Sequence, residues 1–312
     1  MIINMHDLWD DAAERQKKYI AKRIRDVLER ELSRGPMTKA LFDVLSFIYS
    51  NLNDIVDSKN TDFTNVIASY DALFPAGGAT TTDAEKWFAK IFDYEGFRDG
   101  KYEQGWNAYE LCNLARYKVC PYCHINTTET ELKGGPLKGY RGDLDHYLPQ
   151  SEFPYLALSL GNLVLSCKLC NGSSMKHTKN FHVIPHLNPL KDNIEFEFRL
   201  CPANNGDWTP TLSTFKERPS KYEIQIIALR GGIKAQNSLE TFQLHPRYQP
   251  FLYEAHRVAR VGRNSGWFKS VLRKTFLQMT IEDELGFDSV GDGYKHVSTG
   301  KMRKDVFDAT RG

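Results

Sequence analysis

Apolar residues recur every three or four positions through the first hundred residues, which is the spacing of amphipathic helices. Gly35 and Pro36 interrupt the first run and predict the end of its helix. Thr82 and Glu85 have the spacing of a capping box and predict the start of a later helix. Residues 77–81, which precede it, are typical of a loop. The helices predicted in this part of the chain cover residues 8–32, 39–56, 82–91 and 106–117.

The rest of the chain changes character twice. Residues 120–188 are rich in Cys, His, Gly and Pro, a composition typical of a small module organised by a metal ion. Apolar and polar residues then alternate over 194–200 and 222–229, which predicts strands, and 250–285 returns to helical spacing. We therefore expect an α+β, mostly helical protein. Its predicted regions are an N-terminal helical region (1–118), a central module (119–190) and a C-terminal strand-and-helix region (191–312).

Composition permits many functions and selects none. The 312 residues are 41% hydrophobic and 26% charged, as in ordinary soluble globular proteins, and the net charge is +2. No apolar run approaches the roughly 20 residues that cross a bilayer. The first residues are acidic, unlike a secretory signal, so we expect a cytoplasmic protein with no membrane partner. In that compartment six cysteines are more plausibly metal ligands or buried thiols than disulfides.

Four of these cysteines form two CxxC pairs. Cys120 and Cys123 flank Pro-Tyr, and Cys167 and Cys170 flank Lys-Leu. Two such turns facing each other complete a tetrahedral zinc site, so we predict a structural Zn²⁺. The alternative is two unrelated pairs of buried thiols, or a redox pair, although a thioredoxin-like context is missing. Cys112 and Cys201 fall outside this pattern and are interpreted as buried small apolar side chains.

The segment between the two pairs contains the most informative residues. Asp145 and His146 are adjacent, so in an extended strand their side chains point to opposite faces. An imidazole can activate water while a carboxylate binds a cation that neutralises a phosphate. Phosphodiester hydrolysis needs both groups.

The sequence CPYC, followed by DLDHYLPQSEFP and LSLGNLVLSCKLCN, resembles the HNH (ββα-metal) endonucleases that carry a four-cysteine zinc knuckle. The resemblance implies a central ββα-metal module. It implies His146 as general base, Asp145 and Asn171 as ligands of a catalytic divalent ion, and Asn162 as the residue that holds the backbone around the histidine. With Asn in place of the more usual His at position 171, the expected catalytic ion is Mg²⁺ or Mn²⁺.

One departure from the family pattern concerns the residues after Asn171. Family members often carry a lysine three positions after the last ligand, whereas here Lys176 stands five positions after it. We interpret Lys176 as a phosphate-binding residue, while the third ligand of the cation stays open. His177 and His182 are spare candidates for either role, though surface histidines are the commoner case. Asp143 could assist, although a solvated acid at a strand start is the simpler interpretation.

Arg257, Arg260 and Arg263 recur every third residue and form a basic stripe if this segment is helical. Such a stripe suits phosphates of DNA, with RNA a less expected partner, but a solvated helix face is an equally good interpretation. The stripe belongs to a longer basic stretch that includes Lys269, Arg273 and Lys274.

A looser similarity links the chain to the HNH subunits of bacterial anti-phage systems such as Septu and retrons. It implies an ATPase partner, for which the N-terminal helices could be the docking surface. The alternative to an endonuclease is a catalytically inactive, zinc-organised nucleic-acid-binding or scaffold subunit. The Asp145-His146 pair together with Asn171 favours the enzyme, because an inactive homologue usually loses the base or a ligand.

Overall fold

The computed structural model describes residues 3–57, 59–76, 78–132, 134, 139–194, 196–230, 232–264 and 280–311. This part of the chain is an α+β structure, about half helical, with two separate antiparallel sheets of two strands each. Its buried apolar residues form one continuous hydrophobic cluster, from Ile3 to Phe307, to which all three sequence regions contribute. Among the described residues, no helix combines the length and the apolar character needed to cross a membrane.

The elements follow one another in three groups. The N-terminal helices are α1 (Ala13–Leu32), α2 (Lys39–Val56), α3 (Thr64–Leu73), α4 (Ala79–Ile91), α5 (Tyr94–Arg98) and α6 (Ala108–Leu114). The central elements are β1 (Asp143–His146), β2 (Leu163–Ser166) and α7 (Lys168–Asn171). The C-terminal elements are β3 (Phe196–Pro202), β4 (Tyr222–Ala228), α8 (Ile233–Thr241), α9 (Leu244–Tyr248), α10 (Leu252–Arg263), α11 (Ile281–Leu285) and α12 (Gly300–Thr310).

Helices are present in the predicted segments of the described chain, although α1 begins five residues later than predicted and α6 is shorter than predicted. α2 has the predicted bounds, and Thr38 caps it by accepting a hydrogen bond from Leu41 N. The capping box at Thr82 is wrong, because α4 already begins at Ala79 and places Thr82 inside the helix; the predicted loop is therefore helical from residue 79. α3 was not predicted, since its ten residues lack a strong apolar stripe. In the C-terminal segment, helix is confirmed for α10 and α11, while residues 265–279 lie outside the described residues.

The N-terminal helices enclose the long loop that joins β1 to β2. Tyr155, in this loop, packs among the rings of Phe47, Tyr70 and Phe88, with centroids 4.6 to 5.7 Å away. Gly161 lies so close to the N-terminal region that a Cβ there would meet the carbonyl oxygen of Asn60 at 1.8 Å. This contact requires glycine. The helices therefore fix the loop that precedes β2.

The C-terminal region packs on the other side of the central module. The tyrosine hydroxyl of Tyr248 donates to the carbonyl of Cys123 at 2.6 Å, and Thr299 N donates to the carbonyl of His124 at 2.7 Å. The alternating pattern predicted for β3 and β4 is confirmed, and their seven residue pairs are antiparallel. The first cysteine turn is thus held by groups from far along the chain.

Candidate metal centre and neighbouring histidine site

The four cysteines of the two CxxC pairs converge. Their Sγ atoms all lie within 4.8 Å of one another, and all four residues are buried. Cys120 and Cys123 come from the turn before β1, whereas Cys167 precedes α7 and Cys170 lies within it. Four thiols at this spacing can hold a metal ion such as zinc. The expected cluster is confirmed.

Hydrogen-bond donors surround the sulfurs. Asn126 Nδ2 lies 3.3 Å from Cys167 Sγ, and Arg247 Nη1 lies 3.4 Å from Cys170 Sγ. Hydrogen bonds from the neighbouring thiols, with that of Asn126, lower the pKa of Cys167. Burial lowers the pKa of Arg247, but the adjacent thiols Cys123 and Cys170 more than offset this and the net pKa is raised. A positive charge beside the cluster favours thiolates, the form that binds a metal.

The two remaining cysteines lie away from this cluster. Cys112 is fully buried, as expected, and burial raises the pKa of its thiol to about 12. Cys201 is only half-buried on β3, so the expectation of a buried side chain holds for it in part.

His146 stands at the end of β1 with its ring held from two sides. Its Nε2 lies 2.9 Å from the carbonyl oxygen of Ala157, and the ring meets that of Tyr94 edge-on at 4.6 Å. A carbonyl oxygen only accepts, so Nε2 carries the proton and Nδ1 is the basic nitrogen. Within the described chain, Nδ1 has no hydrogen-bond partner. Burial of the ring lowers the pKa of His146, which keeps the imidazole neutral at neutral pH.

Asn162 fixes the backbone that follows the histidine. Its side chain is fully buried, accepts from Leu148 N at 2.8 Å and donates to Leu148 O at 3.0 Å. Its own carbonyl accepts from Tyr147 N at 2.8 Å. Asn162 therefore holds the two residues after His146 and is a positioning residue.

Asp145 is buried, and both of its carboxylate oxygens are engaged. Oδ1 accepts from Lys176 Nζ at 2.8 Å, and Oδ2 accepts from the Tyr122 hydroxyl at 2.5 Å. Lys176 also donates to the carbonyl of His146 at 2.7 Å. The interpretation of Lys176 as a phosphate-binding residue is wrong for this structure, because its side chain is 2% exposed and neutralises Asp145.

Asn171 is hydrogen-bonded to Asp143 rather than to Asp145. Its Nδ2 lies 3.2 Å from Oδ2 of Asp143, the acid two residues earlier on β1. Both Asn171 and Asp143 are half-buried and so reach solvent. The structure therefore brings Asp145 to Lys176 and Asn171 to Asp143.

The other candidates lie on the surface. His177 and His182 are both exposed, and His182 packs its ring against Phe153 at 5.8 Å. Three arginines of α10 are exposed, and one of them, Arg257, is paired with Glu284. These exposed arginines are Arg257, Arg260 and Arg263. The expected contributions of Lys269, Arg273 and Lys274 lie outside the described residues.

Two residues of the site were not anticipated. Tyr122 stands inside the first CxxC pair, so its position beside the sulfurs could have been inferred, but its hydrogen bond to Asp145 depends on the tertiary fold. Tyr94 precedes His146 by some fifty residues, and no local pattern marks it. Comparisons with protein-family models, curated proteins and solved structures find no match to the chain. Function is therefore inferred from the site itself.

Proposed function

We propose that this chain is a metal-dependent endonuclease of the HNH type that hydrolyses phosphodiester bonds in DNA, with His146 as the general base. The observation that carries the proposal is the geometry of this histidine: the contact between Nε2 and the Ala157 carbonyl orients the ring, and Nδ1 has no hydrogen-bond partner among the described residues. Burial also lowers the pKa of His146, which favours the neutral imidazole. A general base must be unprotonated at the working pH and held in one orientation. His146 meets both requirements.

The remaining roles belong to groups around the histidine. Asn162 fixes the backbone after His146, so that the imidazole keeps its position when water and a phosphate are bound. Carboxylate and amide oxygens on β1 and α7 suit Mg²⁺ or Mn²⁺, and the four thiols suit Zn²⁺. When bound, the divalent ion would neutralise the phosphate and the leaving oxygen. The resemblance implies Asp145 and Asn171 as its ligands, although Asp145 is paired with Lys176 in this structure.

The substrate would be held through its backbone. Arg257, Arg260 and Arg263 project from one exposed side of α10, and guanidinium groups contact phosphates without reading sequence. The preference for DNA over RNA, a role in anti-phage defence and an ATPase partner are proposed on the resemblance alone.

A specific observation favours the inactive, zinc-organised alternative. The carboxylate expected to bind the catalytic ion, that of Asp145, is already neutralised by Lys176 and bonded to Tyr122. In this arrangement the four-cysteine cluster and the exposed arginines would serve binding alone.

The test is cleavage of supercoiled DNA by the zinc-loaded chain with Mg²⁺, Mn²⁺ or EDTA, beside a panel of RNAs. His146→Ala should lower the nicking rate by about 10²–10⁴-fold, the usual contribution of a general base, while zinc content and fold are retained. The matched control is His245→Ala, which removes an exposed histidine and should nick like the parent. Nicking by His146→Ala at the parent rate would exclude His146 as the base. Metal-dependent cleavage of RNA but not of DNA would show that the substrate is RNA.

A further inference from the structure

The two acids of β1, Asp143 and Asp145, stand two residues apart on the strand and have different surroundings. Asp145 is 3% exposed, whereas Asp143 is half-buried and reaches solvent. The two carboxylates therefore differ in their ability to accept a divalent cation.

Both carboxylate oxygens of Asp145 are engaged by buried partners. The ammonium of Lys176 lies 2.8 Å from one carboxylate oxygen and is itself buried, with a second bond to the carbonyl of His146 and the ring of Phe181 4.9 Å away. The Tyr122 hydroxyl takes the other oxygen. A cation at Asp145 would leave the buried ammonium without its counter-ion, and an unpaired buried charge is strongly unfavourable. Lys176 therefore already supplies the positive charge that Asp145 needs.

Asp143 has the opposite properties. Its only side-chain hydrogen bond within the described chain is the one to Asn171 Nδ2, at 3.2 Å. A turn of the Asn171 amide about its terminal bond would exchange nitrogen for oxygen and direct two oxygen ligands to one point. Mg²⁺ and Mn²⁺ are commonly bound by one or two protein oxygens, with waters filling the remaining positions. No buried ion pair has to be broken.

We infer that the divalent cation is bound by Asp143 and Asn171, and that Asp145 is a positioning residue whose charge is neutralised by Lys176. This inference rests on the proposed function, because it names the cation ligands of the same site. Asp145 and Lys176 together tie the first cysteine turn, through Tyr122, to the backbone of His146. The cation would then sit at the solvent-accessible end of β1, next to the cysteine cluster, since Asp143 pairs with Ser166 beside Cys167.

The experiment measures Mn²⁺ affinity of the zinc-loaded chain by calorimetry or by electron paramagnetic resonance. Asp143→Asn should weaken Mn²⁺ binding by about tenfold or more. Asp207→Asn, which removes an exposed acid in a loop, is the matched control and should bind like the parent. Asp145 is tested in the double variant Asp145→Asn/Lys176→Met, which removes both charges of the pair so that no buried ammonium is left unpaired. That variant should keep the Mn²⁺ affinity of the parent.

Two results would overturn the inference: loss of Mn²⁺ binding in the double variant with retention in Asp143→Asn, or no saturable Mn²⁺ binding in the parent. Failure of the proposed function looks different. Mn²⁺ bound with the predicted dependence on Asp143, without nicking of any nucleic acid, would support this cation site and contradict the nuclease.

Discussion

The two antiparallel hairpins of the molecule are built on different principles. β3 and β4 pair over seven residues and alternate between buried and accessible positions, so one face packs on the core. β1 and β2 pair over only four residues, and every residue of β2 is buried. A short two-stranded hairpin is at best marginally stable alone. The first hairpin therefore depends on the cysteine turns at its ends, whereas the second depends on its own apolar face.

A buried lysine–aspartate pair accompanies each hairpin, and the two pairs differ in how deeply they are buried. The pair Lys176–Asp145 has side chains 2% and 3% exposed and lies within the first hairpin module. The pair Lys301–Asp305 has side chains 8% and 11% exposed and lies on α12, where Asp305 also accepts from Phe198 N of β3. The candidate site thus contains the more deeply buried charges.

The largest effect is expected when a cysteine beside the first hairpin is replaced, compared with a cysteine on the second. Cys170→Ser should release zinc and unfold the β1–β2 module, because a structural zinc site contributes on the order of 10 kcal/mol or more in small modules. Zinc content and amide hydrogen exchange are the measurements, with protection lost in β1 and β2 first. Cys201→Ser, on β3, is the matched control and should keep its zinc. A zinc-free Cys170→Ser protein with full protection of β1 would show that the hairpin does not need the metal.

This contrast also explains what the sequence could predict. The cysteine cluster and the two strands of the second hairpin were predicted because spacing and alternation are local patterns, whereas the pairing of these strands was not predicted. The bounds of α2 follow equally from an amphipathic repeat after a capping threonine. The HNH arrangement itself stays a prediction.

The partners of the site residues could not be predicted. Asn171 meets Asp143 rather than Asp145, and Lys176 is buried rather than exposed, because α7 and the segment after it settle against β1 in a way that no spacing rule specifies. Tyr94, at the start of α5, reaches His146 only through the tertiary fold. Burial of charged groups is a property of the assembled fold.

The next largest effect compares the two ion pairs. Lys176→Met should lower the free energy of unfolding by about 3–5 kcal/mol, since it leaves the Asp145 carboxylate buried and unpaired. Lys301→Met should cost less, because Asp305 is more exposed and keeps its bond from Phe198 N. Urea unfolding of both variants measures the difference. An equal or larger loss in Lys301→Met would contradict the ranking by burial.

The smallest effect concerns His186, which attaches the first hairpin to α8. Its Nε2 lies 2.9 Å from the Thr241 hydroxyl, its ring stacks on Phe181 at 3.7 Å, and its carbonyl accepts from the Tyr147 hydroxyl at 2.8 Å. Burial lowers the pKa of His186 from 6.5 to about 4. The unfolded chain therefore binds a proton at a higher pH than the folded one does, so this group's contribution is complete above pH 6.5 and is lost as the pH falls towards 4.

The decrease in the free energy of unfolding that is due to His186 should reach about 2 kcal/mol by pH 5, given about 1.4 kcal/mol for each pKa unit. His186→Gln removes the titration and keeps a hydrogen-bonding side chain near Thr241, so its stability should fall less than that of the parent between pH 7 and pH 5. Urea unfolding at the two pH values gives the difference, with the exposed His245→Gln as control. The loss is assigned to the first hairpin because the His186 carbonyl accepts from the hydroxyl of Tyr147, the residue just after β1. If His186→Gln loses as much stability as the parent between pH 7 and pH 5, the fold does not hold the His186 ring neutral. The site is then attached to α8 less strongly than the contacts of His186 indicate.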